Sequence, residues 1–344
     1  MIEGLVLHLG DFRTGSTAIQ DWLGRAGAAH GLVYPPGFNQ AALAQSLSDP
    51  EARAARFAAL AAGFEAAPGG IGVISSEHFE FADPETLRAT LAEHLPGLAP
   101  RTRLIAYVRP HAPAFLARFA ESAKIGNFDG PLEAYLQAPA TLWRLGYAAR
   151  FGRWRKAFGD RFTLRLYDRA QFPHGDVRAD FLRFVTGTAP AKPLPPAAAN
   201  PTPGIADLAM AMALHRAIGP LPEGPPAQGA RWTLGRHLGR LMADRTRPRP
   251  DSPLHLHRDL ATRLAARFKA DAEATDAAFF APAMPLANAL AAAPDAAPEA
   301  AQSLAVEDHL SPEARDLVAL WGGMLRHGLS APEGPALLER LYHE

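Results

Sequence analysis

The chain has 344 residues, 48% of them hydrophobic and 20% charged, enough for one large domain or two modest ones and too apolar for wholesale disorder. Its 35 basic residues balance 35 acidic ones, which argues against a general nucleic-acid binder, and the absence of cysteine excludes disulfides, thiolate metal sites and thiol nucleophiles. No run approaches the roughly 20 apolar residues of a membrane span, and the opening residues carry no signal-peptide pattern, so a cytoplasmic protein is expected.

Leu5-Val6-Leu7-His8-Leu9, closed by Gly10, reads as a buried parallel strand. A glycine-containing turn then leads into a helix through Ala18–Leu23. Gly31–Tyr34, stopped by Pro35-Pro36, predicts a second strand, and the Ala-rich residues 39–66 two helices. Gly70–Ser75 is a third strand. Asp83-Pro84-Glu85 starts another helix, with Asp as N-cap and Pro at the first helical position. Arg103–Val108 is a fourth strand, followed by helical patterns at about 112–124, 131–138 and 142–157. Phe162–Tyr167 is a fifth strand, with a helix over about 177–187. Strands alternating with helices predict an α/β fold, a parallel sheet of about five strands covered on both faces.

Beyond that point, Pro- and Ala-rich stretches at 188–204, 218–228 and 246–253 interrupt helical patterns without strands, and the stretch around 281–302 reads as a loop. The expected organisation is an α/β domain over 1–190 and a helical extension over 191–344 packed on it, whether or not the two form one continuous domain.

The most informative segment is Leu9-Gly10-Asp11-Phe12-Arg13-Thr14-Gly15-Ser16-Thr17-Ala18, between the first strand and the first helix. A turn there aims backbone N–H groups and the positive end of a helix at one point. Gly15 allows close backbone approach, and the hydroxyls of Ser16 and Thr17 add donors. The spacing is Gly-x4-Gly, as in a P-loop, but Ser16 occupies the Walker lysine position. The lysines of the chain are Lys124, Lys156, Lys192 and Lys269, so Arg13 is the cation within the loop. A kinase or ATPase built on this loop would lack the lysine that bridges the transferred phosphoryl group.

A basic residue ahead of Gly-[Ser/Thr]-Thr resembles the P-loop sulfotransferases, which use 3′-phosphoadenosine 5′-phosphosulfate (PAPS), in their bacterial sulfotransferase-like branch. In that family a loop of the type Pro-Lys-x-Gly-[Thr/Ser]-Thr holds the 5′-phosphosulfate. Here Phe12 stands for the proline and Arg13 for the lysine, followed by Thr14, Gly15, Ser16 and Thr17. Arginine keeps the charge and can hold an anion through its fork, but does not readily give up a proton. The fourth strand ends in Tyr107-Val108-Arg109-Pro110, where the family has an arginine for the 3′-phosphate and a serine eight residues on. Arg109 matches; position 117 is alanine, with Arg118 beside it as the candidate substitute. Lys124-Ile125-Gly126 is similar to the lysine and glycine that end this helix in bacterial members, as is Arg165-Leu166-Tyr167-Asp168-Arg169 with Gly175-Asp176-Val177 and Asp180-Phe181-Leu182 to the fifth strand and its helix. The resemblance covers about residues 5–187. It implies a P-loop-type sheet, PAPS as donor, cofactor contacts from Arg13, Thr14, Gly15, Ser16, Thr17, Arg109, Arg118 and Lys124, and no metal.

The third strand ends in Ile74-Ser75-Ser76-Glu77-His78-Phe79. Residues just past strand C-termini line the ligand crevice of a doubly wound sheet, and sulfuryl transfer is helped by a base that takes the acceptor proton. Glu77 is the first candidate for that base and His78 the alternative; Ser75 or Ser76 could instead donate to the sulfate. Elsewhere, His255 and His257 lack a spaced third metal ligand, and Trp143, Tyr147, Phe151 and Trp154 recur at the spacing of a helix core. Arg236, Arg240, Arg245, Arg247 and Arg249 form a basic run read as a solvated face, with attraction of an anionic acceptor as the other reading. The expected function is sulfuryl transfer from PAPS to a hydroxyl or amine of a small molecule or glycan. The competing readings are a sulfotransferase-like binding protein without catalysis and a P-loop kinase with arginine for lysine.

Overall fold

The computed structural model describes residues 2–196, 202–221, 225–244, 251–331 and 334. In chain order the elements are β1 (Gly4–His8), α1 (Ser16–Ala26), β2 (Leu32–Val33), α2 (Ala41–Gln45), α3 (Pro50–Glu65), β3 (Ile71–Ser75), α4 (Pro84–His94) and β4 (Thr102–Val108). They continue as α5 (His111–Lys124), α6 (Leu132–Gln137), α7 (Pro139–Leu145), α8 (Tyr147–Phe158), β5 (Phe162–Leu166) and α9 (Val177–Thr186). The remainder is helical: α10 (Ile205–Ile218), α11 (Pro225–Asp244), α12 (Arg258–Phe279), α13 (Pro285–Ala296) and α14 (Pro312–Ser330). The fold is α/β, with a five-stranded, all-parallel sheet of order β2-β3-β1-β4-β5 flanked by helices, consistent with a P-loop-type architecture. No helix among the described residues is long and apolar enough to cross a membrane.

The chain forms two compact units and passes between them several times. The first comprises Met1–Pro110, Gly146–Ala198 and Lys269–Ala289 and holds the whole sheet. Because all strands are parallel, the segments after β1, β3, β4 and β5 leave the same edge. The strand order places β1 between β3 and β4, so the connection from β1 runs one way and those from β3 and β4 the other. In doubly wound sheets such a reversal marks the carboxyl end of the central strand as the place where ligands bind. On one face Val6, Val73, Ile105 and Tyr107 pack with Ile19, Trp22 and Leu23 of α1 and Phe181, Leu182 and Val185 of α9. α8 shares a layer with α4, and its Phe151 stacks on Phe162 of β5.

Local signals explain most boundaries. Asp83 caps α4 by accepting from Thr86 N–H at 2.9 Å, with Pro84 in the first turn. The helical pattern expected over 142–157 is instead two helices, α7 and α8, broken at Gly146. The break is stabilised from far along the chain, since the Asp271 carboxylate accepts from the Tyr147 and Ala148 amides at 2.9 and 3.0 Å. Trp143 lies on the other side of that break and is 41% exposed, out of the buried series Tyr147, Phe151 and Trp154. The loop expected around 281–302 contains α13. Its first amides, Leu286 and Ala287, donate to the buried Asp276 carboxylate at 3.1 and 2.8 Å, while Pro294 enters only near its end.

The second unit comprises His111–Leu145, Ala199–Phe268 and Leu290–Glu344. Leu214, Ile218, Ala230, Leu234, Val318 and Leu329 form its core. α14 lies close on α10, where a Cβ at Gly322 would meet Ala217 Cβ at 2.3 Å. Arg236 and Arg240 lie on α11, whereas Arg245, Arg247 and Arg249 lie outside the described residues. His255 and His257 precede α12 in irregular chain, with His257 Nε2 3.6 Å from Glu133 Oε1.

Asp271→Ala removes the acceptor for two helix-terminal amides. It should cost about 1–2 kcal/mol of stability, read as a lowered urea midpoint; an unchanged midpoint would contradict its capping role.

Candidate functional site

The turn after β1 is bent by three residues with positive φ: Gly10 (69°), Arg13 (69°) and Gly15 (86°). Both glycines are required by contact as well as by conformation. A Cβ at Gly10 would lie 2.9 Å from Glu77 Cα, and one at Gly15 2.8 Å from Val177 Cγ1 and 3.1 Å from Tyr167 Cε2. Arg13 holds a left-handed conformation that costs a side-chain-bearing residue about 1–2 kcal/mol. Asp11 folds the turn on itself: its carbonyl accepts from Thr14 Oγ1 at 2.7 Å and Ser16 Oγ at 3.4 Å, and its carboxylate from Phe12 N–H at 3.1 Å. Gly15 then precedes α1 with no side-chain cap, so the first amides of that helix are donors without a side-chain acceptor.

Glu77 leaves β3 beside this turn. Ser76 caps the 3-10 turn Glu77–Phe81, its hydroxyl accepting from His78 N–H at 3.2 Å. Glu77 Oε2 accepts from Gln20 Nε2 at 3.0 Å, and the same amide reaches Ser75 Oγ at 3.2 Å. His78 sits between Phe12 and Phe81, with ring centroids 6.3 and 6.5 Å away. The structure therefore brings Glu77, His78 and the Gly10–Ser16 turn together at one edge.

Arg109 follows β4 on the other side of β1. Its guanidinium lies 4.4 Å over the Tyr167 ring. No carboxylate among the described residues forms a salt bridge with it. Burial lowers its pKa; the nearby charges of Arg13 and Arg169 push the same way, against Tyr167. No family model, curated protein or solved structure matches the chain. Arg118 and Lys124 belong to the second unit. There Lys124 Nζ pairs with Glu121 at 2.6 Å, and its carbonyl is 2.9 Å from His215 Nε2.

Two buried polar groups under the turn are not singled out by sequence reasoning. His8, in the middle of an apolar run, shares a 2.8 Å hydrogen bond with Ser75 Oγ through Nδ1. It packs near Phe181 and Tyr107, with ring centroids 5.5 and 6.0 Å away. Burial drives its pKa from 6.5 down to about 3, so the ring is neutral. On the α8 side, Arg150 Nη1 donates to Asp11 Oδ1 at 3.0 Å and to Glu80 Oε2 at 2.8 Å. A trace existed in the sequence: Arg150 falls in the buried series Tyr147, Arg150, Phe151, Trp154.

His8 sets a pH dependence. Between pH 6.5 and about 3 the unfolded chain binds a proton that the folded chain refuses, so this site removes up to about 1.4 kcal/mol of stability per pH unit as pH falls. His8→Gln should flatten that limb in urea titrations between pH 7 and pH 4; an unchanged slope would contradict a buried neutral imidazole.

Proposed function

We propose that this protein is a PAPS-dependent sulfotransferase acting on a hydroxyl or amine of a small molecule or glycan. The observation that carries the reading is Arg109. A half-buried guanidinium with no carboxylate partner among the described residues stands at the strand end beside a turn of uncapped amides, with Arg13 and Arg169 nearby. Like charges gathered around a desolvated cation favour an anion, and a nucleotide with phosphates at both its 3′ and 5′ positions supplies two. Proximity of Glu77 to the same turn supports a transfer reaction at that anion.

In this reading the amides of the turn, those of Thr14 and Ser16 included, and Arg13 hold the 5′-phosphosulfate, helped by the hydroxyl of Thr17, while the Thr14 and Ser16 hydroxyls brace the turn on the Asp11 carbonyl. Arg109 holds the 3′-phosphate. Glu77 takes the proton of the acceptor as its oxygen or nitrogen forms a bond to sulfur. The bond from sulfur to the 5′-phosphate oxygen breaks in line, and the charge left on that oxygen is met by the turn and Arg13. Arg13 acts as a fixed charge rather than as a proton donor.

Turnover of labelled PAPS with a panel of phenols, amines and glycans tests this. Arg13→Ala should lower transfer by roughly 10–100-fold while leaving the fold intact, since one charge-assisted contact is worth about 1.5–3 kcal/mol; activity within a few-fold of wild type would contradict the assignment of the turn. Glu77→Gln should lower turnover by roughly 10²–10⁴-fold with nucleotide affinity unchanged. Retained turnover in Glu77→Gln, with loss in His78→Ala, would make His78 the base.

A further inference from the structure

Asp11 lies inside the anion-type turn, and Glu80 lies three residues after Glu77 in the 3-10 turn Glu77–Phe81. Arg150 spans the two. Nη1 is shared between Asp11 Oδ1 and Glu80 Oε2, and Nη2 reaches Asp11 Oδ2 at 3.3 Å. All three side chains are buried, and the guanidinium packs over the Phe151 ring at 4.6 Å. Arg150 is 139 residues from Asp11 and 70 from Glu80, so the bridge owes nothing to local chain geometry.

Buried ion pairs gain little net stability over apolar packing, because desolvation offsets much of the attraction. What a guanidinium supplies is rigid angles between its donors. Each carboxylate it holds belongs to a residue that shapes a turn. Asp11 receives the Thr14 and Ser16 hydroxyls on its carbonyl, so a rotation of Asp11 moves both. Glu80 is held within the same single turn that presents Glu77 and His78. Gly10 meanwhile touches Glu77 directly, which leaves almost no slack between the two segments.

We propose that Arg150 is a positioning residue that sets the conformation of the Gly10–Ser16 turn and its spacing from Glu77. The identity of the ligand rests on the sulfotransferase reading; the coupling of the two turns does not. Arg150→Met keeps the length and removes the bridge. Well below the unfolding temperature, its amide hydrogen exchange should rise in residues 10–17 and 76–82 together, with the β1 and β4 amides still protected. Affinity for 3′,5′-ADP (PAP) by calorimetry should fall at least about tenfold, although Arg150 is buried under the turn. Glu80→Gln, which keeps an acceptor oxygen, should stay within about threefold of wild type. A lowered melting temperature with wild-type exchange in both turns and PAP affinity within twofold would show a merely structural bridge and overturn the proposal. If PAP fails to bind the wild type, the sulfotransferase reading falls and the exchange pattern alone decides. Should Arg150→Met not fold, Glu80→Ala leaves the Asp11 pair in place; exchange raised in 76–82 but unchanged in 10–17 would contradict the coupling.

Discussion

The tightness of the turn after β1 governs everything at the carboxyl edge of the sheet. Gly10 lies against the backbone of Glu77, and Gly15 against Tyr167 and Val177. These contacts leave no room for a side chain, so the segments following β1, β3 and β5 are packed tightly together, Gly10 on the backbone of Glu77 and Gly15 on the side chains of Tyr167 and Val177. Chain direction is forced as well: Gly10, Arg13 and Gly15 all adopt positive φ, and only two of the three are glycine. Arg13 carries the cost that this conformation imposes on a side-chain-bearing residue, as His174 and Met284 do elsewhere in the chain.

A turn this irregular needs support from below, and the protein supplies it with polar groups where a core would ordinarily be apolar. On the α1 and α9 side, His8, Ser75 and Gln20 form a hydrogen-bonded series that ends on Glu77. On the α8 side, Arg150 ties Asp11 to Glu80. Each arrangement ties the β1–α1 segment to the end of β3 or the turn that follows it. Buried polar groups are costly when unpaired, and here their partners come from several elements, which ties local geometry to the whole fold of the first unit. Arg109, which forms no salt bridge with a carboxylate among the described residues, lies over the Tyr167 ring just after β4, outside both arrangements.

Much of this was legible in the residues. Short apolar runs bounded by glycine or proline located all five strands, and Asp83-Pro84 marked a helix start, because these signals depend on neighbours in sequence. What failed depended on distant partners. The break at Gly146 is stabilised by Asp271, and α13 begins on the carboxylate of Asp276, so neither boundary could be read from its own window. The site followed the same division. Gly-x4-Gly, Glu77 and Arg109 stand at strand ends and could be placed by topology alone. His8 and Arg150 sit inside apolar periodicities that announce burial and say nothing of partners 67 and 139 residues away.

In the proposed function, the edge beside β1 recognises a nucleotide carrying a 3′-phosphate through Arg109. Calorimetric titration of wild type and Arg109→Ala with PAP and with ADP, at one fixed ionic strength, tests it most directly. Wild type is expected to bind PAP more tightly than ADP, and Arg109→Ala to lose most of that preference while binding ADP nearly as before. Equal affinity of the wild type for the two nucleotides would contradict it, whatever the fold.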